Sequence, residues 1–292
     1  MAESVRTSCG RAEPGAGAPA RAVGPIARLT LMGSQVPTLR FERALWRDGL
    51  ARVVGVDEVG VAPTCGAVVA AAVIMRPNCR RIPGVRDSKT LSAAQRERLA
   101  PIIQRRALAI GVGAASVAEI DRLNIYHATH LAMRRAVSRV GEHDYVLVDG
   151  NRIADFEAAV GPYTAIVKGD ARVYSIAAAS VVAKVVRDRM MGLLSARYPG
   201  YGWERNQGYA TLEHRTAIRA LGLTPFHRRS FLALQRTLAG DQETLDLFAA
   251  GPLELVGVAV MSEQVSGVGV DPEPASISEE FEAAIASLSL PA

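Results

Sequence analysis

The sequence predicts an α/β fold: a central, mixed β-sheet flanked by helices, with a small helical portion at its C-terminal end. Three observations carry this. Two β-branched runs, residues 53–56 and 66–75, follow one another across a turn rich in Gly and Pro, as adjacent central strands do. Apolar segments of strand length then alternate with longer amphipathic segments as far as residue 221. No internal repeat interrupts that alternation, and 292 residues suffice for one large domain with appendages.

The elements follow in order. Residues 41–50 predict a short helix leading into the first strand. Ser92 reads as an N-cap, opening a helix that runs to about residue 106, because its hydroxyl can accept one of the orphan N–H groups of the first turn. Residues 107–115 predict a third strand and residues 123–140 a long amphipathic helix. Residues 145–148 predict a fourth strand, ending in Asp149-Gly150, and residues 163–167 a fifth, ending in Lys168-Gly169-Asp170. Residues 175–196 form a second long amphipathic segment, and residues 211–221 a shorter one.

Composition bounds the partners. The chain is 49% hydrophobic and 22% charged, which excludes global disorder. Residues 53–240 carry 26 Lys and Arg against 15 Asp and Glu, a balance suited to a polyanion or to a solvated basic surface. Residues 241–292 carry ten acids and no Lys or Arg. The expected organisation is a disordered tail over residues 1–40, one folded α/β domain over 41–240 and a flexible acidic tail over 241–292, with one short helix near residues 279–288. The opposite charges of tail and core also suggest that the acidic tail folds back and competes with nucleic acid. Cys9, Cys65 and Cys79 show no metal or disulfide spacing, so a cytoplasmic, reducing location is expected. Neither a signal peptide nor a membrane span is indicated, and a monomer is expected.

Acids stand at or just past the ends of three predicted strands: Asp57-Glu58, Asp149 and Asp170. Ligand sites gather at such strand ends. Grouped carboxylates repel one another, and either bound protons or divalent cations relieve that repulsion. An all-oxygen set suits Mg²⁺ or Mn²⁺, and two such ions can hydrolyse a phosphodiester. Each acid taken alone also reads as a turn residue, an Asp-Gly after a strand above all.

Five strings in order then resemble a known family, the type 2 ribonucleases H of the bacterial HII kind. They are Gly55-Val56-Asp57-Glu58-Val59-Gly60, Asp87-Ser88-Lys89-Thr90-Leu91-Ser92, Val146-Leu147-Val148-Asp149-Gly150-Asn151, a block from Lys168-Gly169-Asp170 to Arg187-Asp188, and Asn206-Gln207-Gly208-Tyr209-Ala210-Thr211 with His214 and His227-Arg228-Arg229-Ser230-Phe231. The resemblance covers about residues 43–236. It implies a ribonuclease H-like fold, a soluble enzyme of DNA replication and repair, and Mg²⁺- or Mn²⁺-dependent endonucleolytic hydrolysis of RNA in RNA–DNA hybrids or ribonucleotide-containing duplex DNA. By motif position it makes Asp57, Glu58, Asp149 and Asp170 the catalytic, metal-holding acids, with Gly60, Lys89, Ser180, Lys184 and Tyr209 on the substrate. Tyr209 would pack against the sugar at the RNA–DNA junction, or else cap the core. Ser180, Lys184 and Asp188 share i, i+4, i+8 spacing, so Lys184 either meets phosphate or pairs with Asp188. His214 and His227 have two readings, structural hydrogen bonding or proton handling.

The sequence departs from the family in one loop. After Gly60 the family continues Arg-Gly, and this chain has Val61-Ala62; downstream Gly66-Ala67 replaces the usual Gly-Pro. The family loop approaches the 2′-hydroxyl, the group that separates RNA from DNA. Val61 removes a charge and Ala62 adds a Cβ, so weaker discrimination of a single embedded ribonucleotide is expected. Two other classes remain open at this point: a hybrid-binding protein with weakened catalysis, and another metal-dependent phosphate-ester hydrolase. No P-loop or clean dinucleotide fingerprint is present.

Overall fold

A computed structural model describes residues 36–239. The expected acidic tail, its short helix and most of the expected N-terminal tail lie outside the described residues. The elements run α1 (Arg40–Arg47), β1 (Val53–Val59), β2 (Val68–Met75), a 3-10 turn (Ser88–Thr90), α2 (Ala93–Arg106), β3 (Ala107–Ala115), α3 (Val117–Arg139), β4 (Tyr145–Asp149), α4 (Phe156–Val160), β5 (Tyr163–Ile166), a 3-10 turn (Gly169–Ala171), α5 (Tyr174–Arg197), α6 (Trp203–Asn206), α7 (Leu212–Leu221) and α8 (Leu232–Ala239).

The sheet has the order β3-β2-β1-β4-β5 and is mixed, as expected. β1 is antiparallel to β2 and parallel to β4, and β4 is parallel to β5. Both faces are covered. Val69, Ala71 and Val73 of β2 pack with α2 and α5, while Val68, Ala70, Ala72 and Ile74 pack with α3 and α4. A strand buried on both faces has no need of polar alternation, which is why residues 68–75 read as an unbroken apolar run.

Close approach sets the helix positions. A Cβ at Gly55 in β1 would overlap the backbone of Ser175 and Ile176, so the N-terminal turn of α5 rests directly on the strand. Glu42 of α1 is fully buried and its Oε1 accepts the Ser175 N–H at 2.7 Å, placing an acid at the positive end of α5. Thr38 bridges Val173 and Leu39 is buried, so residues 36–40, assigned to the tail from sequence, contribute to the packing of this end.

Ser92 caps α2 in a capping box with Gln95, as its sequence position predicts. The helix expected over 123–140 begins earlier, at Val117, under a second capping box of Ser116 and Glu119. Asn124 (φ 64°) kinks it, which splits the apolar periodicity and hides the first turns. The C-terminal helices form a satellite core, in which Trp203, Ile218, Phe226 and Leu234 pack on Met191 and Leu194 of α5.

Gly55→Ala is expected to destabilise the protein by about 2–3 kcal/mol, because α5 must lift from the sheet to admit a methyl group. Urea unfolding of the purified variant measures this; an unchanged midpoint contradicts the contact.

Candidate active site

Three parallel strands bring the acids to one edge. Asp57 and Glu58 lie near the C-terminal end of β1, Asp149 closes β4, and Asp170 stands in the 3-10 turn after β5. Carboxylate oxygens of Asp57, Glu58 and Asp149 lie within 4.8 Å of one another. Asp170 completes the group electrostatically: its charge acts on Asp57 and Glu58, and that of Asp149 acts on it.

All four acids are pushed toward the protonated form. Burial raises Asp57 well above the usual range, and the charges of Glu58 and Asp149 add to it. Burial and Asp149 raise Glu58 to about 7. Burial, Asp149 and Asp87 raise Asp170 to about 6. Asp149 is raised by burial against the opposing Gly169 N–H, which donates to its Oδ1 at 2.6 Å. Such a set fits a divalent cation: the donors are all oxygens, Lys89 offsets their repulsion only in part, and Glu58 and Asp149 remain partly exposed.

The remaining sequence-predicted residues fall into different places. Lys89 belongs to the cluster. Burial lowers its pKa, but attraction to Asp57, Asp170, Asp87 and Glu58 outweighs that and raises it. Ser180 is buried, its Oγ lies 2.8 Å from Ser88 Oγ, and its hydroxyl bonds Asp57. Lys184 is paired with Asp188 at 2.6 Å, as the i, i+4 spacing allowed, and Asp188 also meets Arg96 at 3.2 Å. Tyr209 is 45% exposed on the loop after Gly208, so its ring is available and does not cap the core. Gly60 (φ 93°) lies against the Arg187 guanidinium, which a Cβ there would overlap.

His214 and His227 serve the fold. His214 Nδ1 donates to the Tyr209 carbonyl (2.9 Å), so its Nε2 accepts the indole N–H of Trp203 (2.9 Å) and Nε2–H of His227 (3.2 Å). His227 Nδ1 in turn accepts the Thr224 N–H (2.9 Å). Burial keeps both neutral, lowering His227 to about 3. Sequence reasoning missed Asp87, which acts on Asp170 and Lys89, and the buried arginines Arg187 and Arg228. A cavity of about 600 Å³ lined by Arg43, Trp46 and Arg47 lies beside the opposite ends of β1 and β2 and holds none of the predicted residues.

The raised acids have a signed consequence. Glu58 binds its proton more tightly folded (about 7) than unfolded (4.5), so metal-free stability falls as pH rises through this window. Glu58→Gln is expected to be more stable than the parent by about 2 kcal/mol at pH 8 in chelator and equal to it near pH 4. Urea unfolding at the two pH values checks this, since the difference cancels the opposite trend of the histidines.

A family model described as Ribonuclease HII matches residues 54–234. A ribonuclease HII of Thermosynechococcus vestitus is 56% identical over 197 residues, covering 67% of this chain and 90% of that one. Among solved structures, ribonuclease H2 of Pyrococcus horikoshii OT3 superposes with a TM-score of 0.57 at 25% identity, covering 65% of this chain and 98% of that one. A Bst ribonuclease HIII, solved in complex with Mn²⁺, shares the fold at 23% identity and a TM-score of 0.52, covering 69% of this chain and 74% of that one. With that match extending from the first strand into α8, the chain belongs to the ribonuclease HII family, the divalent-metal-dependent endonucleases that cut RNA in RNA–DNA hybrids.

Proposed function

We propose that Asp57, Glu58, Asp149 and Asp170 are the catalytic acids of this endonuclease and together hold a pair of divalent cations, Mg²⁺ or Mn²⁺. The observation that carries this reading is the meeting of Asp57, Glu58 and Asp149 within 4.8 Å at the edge where Asp170 also ends its turn. When bound, the cations supply Lewis-acid charge that activates water and stabilises the leaving oxygen, giving 3′-hydroxyl and 5′-phosphate ends.

The chain's own groups prepare that site. Ser180 and the Glu58 N–H, which donates to Asp57 Oδ1 at 2.8 Å, fix the buried carboxylate of β1. The Gly169 N–H fixes Asp149. Lys89 stands beside the acids as a cation for a substrate phosphate, and the exposed Tyr209 ring offers a face for the sugar at an RNA–DNA junction. The catalytic unit is residues 41–240, acting as a cytoplasmic monomer in replication and repair.

A narrower substrate choice follows from the loop after Gly60. Val61 is partly buried against the core, and Ala62 is exposed without a positive φ, so neither presents the charge that the family's Arg would. Discrimination of a single embedded ribonucleotide is therefore weaker than in relatives with Arg-Gly.

Asp57→Asn and Asp149→Asn are each expected to lower kcat on a long hybrid by roughly 10³-fold in Mg²⁺ or Mn²⁺. Cleavage at the parent's rate by either variant removes the assignment. Val61→Arg with Ala62→Gly is expected to raise cleavage of a single-ribonucleotide duplex relative to the long hybrid. If the parent already cuts that duplex as efficiently at the junction, and the double variant adds nothing, the loop reading is wrong.

A further inference from the structure

Two arginines sit side by side beneath the loop of residues 60–67, each essentially inaccessible to solvent. Arg228 donates from Nε to the Gly66 carbonyl (2.9 Å), from Nη1 to Val61 (3.0 Å) and from Nη2 to Gly60 (2.6 Å). Arg187 donates from Nε to Ala67 (3.2 Å), from Nη2 to Cys65 (3.1 Å) and from Nη1 to Gln207 (3.1 Å). All six acceptors are main-chain carbonyls. Neither guanidinium forms a salt bridge among the described residues.

That arrangement is poor economy for stability alone. Burying two like charges without a counter-ion is costly, and well-packed apolar side chains in their place would often serve folding as well or better. What the planar forks uniquely supply is geometry: donors on three separate nitrogens held in one rigid plane, where a lysine has a single nitrogen. In a trans peptide the carbonyl of one residue and the N–H of the next point opposite ways. With the Gly60 and Val61 carbonyls drawn inward to Arg228, the N–H groups of Val61 and Ala62 point outward, and neither has a partner among the described residues. The same clamp reaches the neighbouring loop, since Arg187 holds Gln207 and the Gly208 carbonyl accepts the Thr64 N–H at 2.9 Å. Tyr209 follows directly.

We propose that Arg187 and Arg228 are positioning residues for substrate choice, locking residues 60–67 and the Tyr209 loop into one rigid surface beside Asp57 and Glu58. The surface presents the Val61 and Ala62 N–H groups and the Tyr209 ring in fixed register, whatever side chains stand at 61 and 62. This inference rests on the proposed reading of the acids as the cutting site.

The experiment compares the full chain with Arg228→Lys and Arg187→Lys. Amide exchange over residues 60–67 is expected to quicken about tenfold while β1 and β4 stay protected. KM for a long hybrid is expected to rise about tenfold with kcat within threefold, and cut positions to scatter, with Mn²⁺ affinity unchanged by calorimetry. A folded variant with unchanged KM and cut positions overturns the proposal, as does faster exchange spread evenly over the sheet. If the lysine variants fail to fold, exchange of the parent decides: protection at residues 60–67 on adding hybrid in Ca²⁺ supports the surface, and its absence overturns it. A parent that binds hybrid this way yet cuts none in Mn²⁺ contradicts the catalytic reading alone.

Discussion

The contact between α5 and β1 at Gly55 is the constraint on which the rest of the site depends. Because nothing but hydrogen stands at that position, the helix begins against the strand, with its first turn held by Glu42 and the preceding Asp170 turn drawn over the sheet edge. From that seat the helix delivers residues at successive depths. Ser180 reaches Asp57, and Arg187 reaches the loop beyond β1. A helix displaced by one methyl group would move all of these together.

Electrostatics then divides the molecule into two regions of opposite need. At the strand ends, acids are gathered with Lys89 as a partial offset, and their raised pKa values measure the work that bound cations relieve. Under the loop, arginines are gathered with carbonyl dipoles as their solvation. In the C-terminal satellite core His214 and His227 are neutral, their tautomers fixed by one directed chain of hydrogen bonds from Thr224 to the Tyr209 carbonyl.

Much of this was legible in the sequence. The strand runs, the Ser92 cap and the strand-end acids follow from local rules, and the order of the five strings supplied the family. Other features were hidden for physical reasons. The Asn124 kink breaks the period of α3, and α4 and α6 are too short to show one. Spacing alone could not decide whether Lys184 meets phosphate or Asp188, because the second partner, Arg96, comes from a distant helix. Arg187 and Arg228 are lost among 31 arginines, a residue type read as surface by default, and only their carbonyl partners reveal them.

A clamp that grips carbonyl oxygens is indifferent to side chains, since every residue type offers the same acceptor. Substitutions along residues 61–67 can therefore accumulate without loss of the loop's course, provided the two arginines and the glycine packed against them persist. Val61 and Ala62 sit on a loop whose course does not depend on their side chains, because Arg228 holds the Gly60 and Val61 carbonyls. The fold thereby separates the part of the molecule that can drift from the part that must not.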